Sequence, residues 1–471
     1  MEIEVIKLGG SILKDRNAFQ RAVNIVKTEL SQDRLPICVV SAIKGVTDRI
    51  IRAVDESLND PRFEPRIFVE NLFEKHLSFL PLNVDASPML EKEFEKLLHV
   101  LYYIQSSGEL GDSVYAYAVS RGENFSSTIL SQFFEVHGIK SKCFYGEDLM
   151  VTDENHREAA VNFEETKKSL EEALLPEIEK SVLPIIAGFA GRSDSGKVTI
   201  FGRGGTDDTA VNVAFGLGVK KTIKYVMEDG IMTLDPHFLD DIKTNHISLK
   251  SRFELPEPRV VPYLSYVEAS ELLREERTKV VHYKVLDPLM KGRIELKIKN
   301  YFDEASEGTI IGVDESSDSD PRPKALSYQR NLRGVRFLPS QSATPSEVYS
   351  KVFSKLSDEE VDVRYVSISG YQMSFLMPEQ DQEKAVNALR DLDITLDVSP
   401  MIGVKGTFSV IGSEMRGMKG FFSRLSGVLA RNGVNIEQAT QPNSENIIRF
   451  SIDDSDIPLA VVAVYDEFFR E

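Results

Sequence analysis

The sequence predicts an α/β protein: a mainly parallel sheet between helices, carrying a helical insertion and followed by two small ferredoxin-like modules. Three observations predict it. Short uninterrupted apolar strands alternate with helical patterns over the first part of the chain, as in a parallel sheet covered on both faces. A small, acidic, proline-containing stretch, SSDSDPRP at 316–323, then breaks the pattern, because it has nothing with which to build a core. Beyond it the units shorten to a β-α-β-β-α order.

Ile3–Leu8 reads as the first strand and runs into Gly9, Gly10 and Ser11. A helix follows over Asn17–Leu30, with Phe19, Val23, Val26 and Leu30 on one face, and then a second apolar strand, Ile37–Val40. Residues 50–118, including Glu91–Gln105, have a helical pattern and form the insertion. The sheet resumes with Pro184–Gly188 and Val198–Ile200, and Lys221–Val226 and Glu295–Ile298 add further strands. After a linker at 316–324, the first module (325–400) offers helix Pro345–Leu356, strands Val361–Ile368 and Gln372–Met377, and helix Gln380–Leu389. The second (401–471) offers strand Thr407–Ile411, helix Gly420–Arg431, strands Val434–Gln438 and Ile447–Ile452, and helix Pro458–Phe469. Residues 1–315 are left as one large catalytic domain.

At 471 residues and 42% hydrophobic content the chain can bury large cores. With 56 Lys and Arg against 74 Asp and Glu, its net charge of -18 argues against a nucleic-acid or acidic-membrane partner. The two cysteines, Cys38 and Cys143, form neither a disulfide framework nor a zinc motif, and a cytoplasmic location is expected. The opening MEIEVIKLGG has no signal-peptide pattern, and no apolar run is long enough for a membrane span.

The most chemical segment is FGRGGTDDTA at 201–210. Its glycines let backbone approach a ligand, and Arg203 can grip a carboxylate or phosphate with its planar fork. Thr206 reads as the N-cap of a helix running to Phe215, whose free amides would face an anion. Alone, the segment is equally a tight turn with a surface arginine. KLGGS places Lys7 at a strand end beside Gly9, Gly10 and Ser11, where parallel sheets bind ligands; its spacing is not that of a Walker loop. VVSAIKGVT puts Ser41 and Thr47 in the loop after the second strand. SRGENFSS places Glu123 behind a glycine at an expected helix start, and TKVVHYKVLDP contributes Lys279.

Taken in order and spacing, KLGGS, VVSAIKGVT, RGENFSS, GFAG at 188–191, FGRGGTDDTA and TKVVHYKVLDP resemble the amino-acid kinase family, and within it the aspartate kinases. IGSEMRGMKG, GVNI at 433–436 and SENI at 444–447 extend the resemblance to the second of two ACT modules, so it covers nearly the whole chain. It implies an amino-acid kinase fold and transfer of the ATP γ-phosphate to the β-carboxylate of L-aspartate, giving 4-phospho-L-aspartate, the first step towards lysine, threonine and methionine.

Carried over, the resemblance implies that Lys7 stabilises the transferring group and Asp207 organises Lys7. Ser41, Thr47, Glu123, Arg203 and Thr206 would bind aspartate, with Arg203 on a carboxylate and Glu123 near the amine. Lys7, Gly9, Gly10, Ser11, Gly230 and Lys279 would bind nucleotide. Mg2+ would be held mainly by the nucleotide phosphates, with no protein metal site. Asn435 and Ile436 would contact an amino-acid effector, lysine or threonine, and the ACT modules would pair chains into a homodimer or higher homo-oligomer. The nucleotide side departs from the family pattern: where TDVxGVYTxDPR is usual, Val226 and Met227 replace the Thr-Asp pair, Met232 the tyrosine and His237 the arginine. The first module likewise has Asp362 and Tyr371-Gln372-Met373 in place of an E-x-N-I pattern. Two alternatives therefore stand: an enzyme of this fold for another acid or phosphate acceptor, or a non-catalytic amino-acid sensor with a degenerate nucleotide site.

Overall fold

The computed structural model describes residues 2–470 except 83, 247, 248, 250, 276–279, 314–321, 341–343, 371, 414, 416 and 442–445. They fall into two compact units. One comprises Met1–Ile231, Val260–Tyr266 and Thr278–Glu315; the other comprises Met232–Arg259, Val267–Arg277 and Ser316–Glu471.

The first unit is built on an eight-stranded sheet. Its strands are β1 (Glu2–Leu8), β2 (Arg34–Val40), β3 (Ser141–Phe144), β5 (Leu183–Ala187), β8 (Lys221–Val226), β9 (Tyr263–Ser265), β10 (Glu295–Asn300) and β11 (Thr309–Gly312), with β4 (Val151–Thr152), β6 (Ala190–Ser193) and β7 (Val198–Ile200) apart from it. The order is β3-β5-β2-β1-β8-β10-β11-β9. Every pair from β3 to β10 is parallel, and only β11 runs against β10. Central β1 and β2 are buried on both faces, which is why Ile37, Cys38, Val39 and Val40 form an unbroken apolar run. The expected strand Val198–Ile200 exists but not in this sheet: it pairs antiparallel with β6 in a three-stranded sheet, β4-β6-β7. Three residues could not show from periodicity which sheet they join.

Helix Arg16–Ser31 crosses from β1 to β2, its N-terminus capped by Asp15, which accepts from the Ala18 amide at 2.9 Å. The helical stretch comprises Val46–Asn59, Pro65–Leu77, Pro88–Ser107 and Asp112–Val136, and so runs past the expected end at 118. Phe94 and Phe125 stack at 3.8 Å in its core, and Phe19 meets Phe133 edge-on at 5.6 Å beside the sheet. Both cysteines are free.

The second unit holds one seven-stranded antiparallel sheet. Its strands are β12 (Pro323–Pro339), β13 (Tyr365–Ser369), β14 (Gln372–Pro378), β15 (Thr395–Pro400), β16 (Lys405–Gly412), β17 (Gln438–Thr440) and β18 (Ile447–Asp453). The order is β13-β14-β12-β16-β18-β17, with β15 also on β12. The 17-residue β12 serves both expected modules: Pro323–Gln329 pairs chiefly with β16, and Leu332–Pro339 with β14 and β15. A left-handed residue, Asn331 at φ 59°, marks the change of partner. Of the expected linker 316–324, residues 316–321 lie outside the described residues, while Pro323 and Lys324 already belong to β12. Helices Pro345–Asp358, Glu379–Arg390, Phe421–Arg431 and Ile457–Phe468 match their expected positions within a few residues. The strand expected at 434–438 is instead Gln438–Thr440, because the chain leaves its helix through Gly433 at φ +77° and reaches the ladder later.

Candidate active site

The parallel strands β1 and β8 place Lys7 and Lys224 side by side as register partners. Both point to a helix, Gly205–Gly216, whose first turn carries Asp207. Lys7 Nζ lies 2.8 Å from Asp207 Oδ1 as an ion pair, and Lys224 Nζ donates a hydrogen bond to Oδ2 at 2.5 Å. All three side chains are nearly buried. Burial alone would raise the Asp207 carboxyl, but Lys224 and Lys7 outweigh it and hold it at about 2. Lys224 is lowered to about 8 by burial, with Asp207 opposing and Lys7 assisting.

Thr206 is not the cap of this helix. The cap position is Gly204, at φ +80°, and the helix starts at Gly205 with Thr206 inside its first turn. Gly204 has two reasons to be glycine, since a Cβ there would also stand 2.5 Å from His282 Cβ. Thr206 packs instead on Gly188, where a Cβ would meet its Cγ2 at 2.5 Å, which accounts for the first glycine of GFAG. Phe189 beside it is held at φ 73° and donates its amide to Thr209 Oγ1 at 3.0 Å.

Glu123 also departs from expectation. It lies in the middle of the 25-residue helix Asp112–Val136, not at a helix start. Gly122 is there for closeness, because a Cβ would press on Ala42 Cβ at 3.1 Å. This approach lets Glu123 Oε1 accept from the Ala42 amide at 3.2 Å, and lets Ser126 Oγ donate to the Ser41 carbonyl at 2.7 Å. Glu123 Oε2 is buried without a hydrogen-bond partner among the described residues. Burial raises the carboxyl to about 8, with the Ala42 amide opposing. Behind it, fully buried Arg121 is bound by Glu93 at 3.0 Å, by Glu147, and by the Tyr117 carbonyl at 3.0 Å. That network ties the helix into the unit and was not foreseen from the sequence.

These residues converge. A cavity of about 810 Å3 is lined by Lys7, Gly10, Ser11, Ser41, Thr47, Glu123, Arg203, Thr206 and Asp207, together with the unforeseen Tyr115, Arg157, Glu158 and Phe189. Arg203 is exposed on its rim and, among the described residues, has no carboxylate partner. Gly10 sits where a Cβ would be 2.6 Å from the Ala42 carbonyl oxygen, so the loops after β1 and β2 touch at the cavity floor. Gly9 and Gly230 are not among the lining residues. Gly230, at φ +154°, is packed against Thr309, and Lys279 lies outside the described residues. In the second unit a separate cavity of about 610 Å3 is lined by residues including Glu271, Arg364, Tyr365, Thr440 and Arg449. Asn435 is exposed and, with Ile436, is not among those lining residues. Tyr371, Ser444 and Glu445 lie outside the described residues.

Lys224 is a member of the Lys7–Asp207 cluster that the sequence reading missed. Its signal was available: a lysine in the interior of a strand, KTIKYV, that otherwise reads as buried.

A parallel sheet whose strand end and facing helix N-terminus bring cations and a carboxylate to one cavity is the architecture of a small-molecule phosphotransferase, and the chain belongs to the amino acid kinase family, whose profile matches residues 2–300. An ACT domain profile matches residues 408–468. Over 99% of its length the chain is 25% identical to the bifunctional aspartokinase/homoserine dehydrogenase of Haemophilus influenzae, of which it spans 57%. It is 24% identical to the chloroplastic aspartokinase 2 of Arabidopsis thaliana, spanning 84% of that protein. Its fold superposes on E. coli aspartokinase III, solved with aspartate and ADP, with a TM-score of 0.79, 20% identity and full coverage of both chains. Among the described residues no helix is long and apolar enough to cross a membrane.

Proposed function

We propose that the chain is an aspartate kinase, a phosphotransferase with a carboxyl acceptor that makes 4-phospho-L-aspartate from L-aspartate and ATP. One observation carries this reading: a single cavity offers cations for phosphate and, beside them, an arginine without a carboxylate partner and a buried carboxyl group with one oxygen unbonded, both among the described residues. That is the complement of an amino acid that also bears a second acid. Arg203 would hold a substrate carboxylate, with Ser41, Thr47 and Thr206 as hydroxyl partners. Glu123 Oε2 would accept from the substrate ammonium. Burial lets Glu123 keep its proton up to about pH 8. An arriving ammonium lowers that affinity, so substrate binding would release the proton.

The β-carboxylate oxygen attacks the γ-phosphorus, the bond from phosphorus to the β,γ-bridging oxygen breaks, and ADP leaves with the electron pair. No base is required, because the nucleophile is already ionised. What the chain must supply is alignment and positive charge. Lys7, at the strand end beside Gly10 and Ser11, would neutralise oxygens of the phosphoryl group in flight, while Asp207 fixes the lysine's position. Mg2+ would arrive on the nucleotide phosphates, consistent with a cavity whose own central charges are cationic.

Catalysis would then belong to the first unit and control to the second, where the ACT profile lies. Lysine or threonine is the proposed effector, with Asn435 and Ile436 as candidate contacts, and pairing of chains through this unit is the proposed assembly. The test is trapping of the acyl phosphate with hydroxylamine, using Mg-ATP and a panel of acids, with and without lysine, threonine and methionine. Aspartyl hydroxamate is expected. A product from glutamate or N-acetylglutamate with none from aspartate would overturn the substrate, and nucleotide-free binding of aspartate with no turnover would favour the sensor.

A further inference from the structure

The central cluster has one more lysine than a carboxylate can neutralise. Asp207 faces Lys7 through Oδ1 and Lys224 through Oδ2, and two ammoniums against one carboxylate leave a single positive charge in a nearly buried place. A bare buried charge is costly unless a counter-ion completes it. The two contacts also differ in kind. Lys224 makes a hydrogen bond to Oδ2, whereas Oδ1 has no hydrogen-bond partner among the described residues and meets Lys7 as an ion pair. Lys224 is not among the residues lining the cavity; Lys7 is.

We propose that Lys224 is a positioning residue that occupies Asp207 and thereby leaves the charge and N–H donors of Lys7 free for the phosphates of a nucleotide. Without it, Asp207 could turn both oxygens to Lys7, giving a closed, neutral pair. With it, Asp207 is shared, Lys7 is held in place but under-neutralised, and the cluster is complete only when a polyanion enters. The placement follows from the sheet: Lys7 and Lys224 are paired across adjacent parallel strands, so their side chains leave the same face towards the same helix end. The charged groups facing Lys224 are Asp207 from that helix, Lys7 from β1 and Glu228 beyond the end of its own strand, while β10 presents Ile298 at the paired position.

This inference rests on the phosphotransferase reading, and its test separates the two. Binding of ADP and, separately, of L-aspartate is measured by calorimetry on the full chain for wild type, Lys224→Met and Lys224→Gln, with melting temperature alongside. Loss of one charge-assisted contact predicts ADP affinity weakened about tenfold or more, with aspartate affinity held within about twofold and the fold retained. ADP affinity of wild type should also fall as pH rises through about 8, where Lys224 loses its proton, and that fall should be absent from both variants. Unchanged ADP affinity, or ADP and aspartate affinities falling together with melting temperature, would overturn the assignment. If one variant does not fold, the other decides. Hydroxylamine trapping on wild type is run in parallel: ADP binding without aspartyl hydroxamate would sink the aspartate reading alone, because the Lys224 comparison is read from binding.

Discussion

Replacing Asp207 by Asn keeps the shape of the side chain and removes the charge that Lys7 and Lys224 share. Against an ordinary 3.8, the carboxyl is held at about 2 despite a burial that pushes the other way. The gap between 3.8 and about 2 is worth about 2–3 kcal/mol at about 1.4 kcal/mol per pH unit. Because the folded value lies below the unfolded one, this contribution is fully present above pH 3.8 and is lost as pH falls towards 2. At neutral pH the Asn variant therefore forfeits it and leaves two buried ammoniums facing each other, a change that costs about 3–5 kcal/mol in comparable buried clusters. Lys224 can limit the loss by shedding its proton, so about 3 kcal/mol is expected, or a fall of about 6–12 °C in melting temperature. At about pH 9.5 wild-type Lys224 is already largely neutral, Asp207 then answers mainly to Lys7, and the deficit should shrink to about half. Scanning calorimetry of both proteins at the two pH values, at one ionic strength, measures this. Equal melting temperatures, or a deficit that does not narrow at the higher pH, would refute the shared-charge account.

Lys7→Ala should behave differently, because Asp207 keeps Lys224 as a partner: the fold should stand, by circular dichroism, while acyl-phosphate formation falls by about a hundredfold or more. Near-normal turnover would remove Lys7 from the transfer centre. Glu123→Gln addresses a buried acid whose folded value, about 8, lies above the unfolded 4.5, so wild type loses stability as pH rises between them. The Gln variant should lack that decline and gain in relative melting temperature towards pH 8, while its KM for aspartate rises about tenfold; parallel stability curves would show the acid to be already ionised.

The sheet and its flanking helices were legible because burial on both faces leaves a strong signal, as Ile37–Val40 and Phe19, Val23 and Val26 show. Lys7 and Asp207 were legible because each sits beside glycines at an element end. Glu123 was placed in the wrong local structure because Gly122 looks like punctuation, yet it serves a close packing of the helix on Ala42. Thr206 misled for a similar reason: a good capping residue stood next to a glycine whose left-handed backbone took the cap position. Lys224 escaped because its meaning depends on which strand lies beside its own, and strand order is not local information. The join within β12 was hidden likewise, since one extended run looks the same whether it has one set of neighbours or two.

That long strand has a consequence for how the second unit can be divided. A fragment beginning at 401 would keep β16, β17 and β18 but lose Pro323–Gln329, the neighbour on the other side of β16. It would expose a row of unpaired amides and carbonyls along buried β16, and such an edge invites strand exchange and aggregation. Residues 325–400 would be no more self-contained, for half of β12 would then hang without a partner. Because one strand serves both modules, a boundary drawn between them cuts a hydrogen-bonded sheet and not a loop.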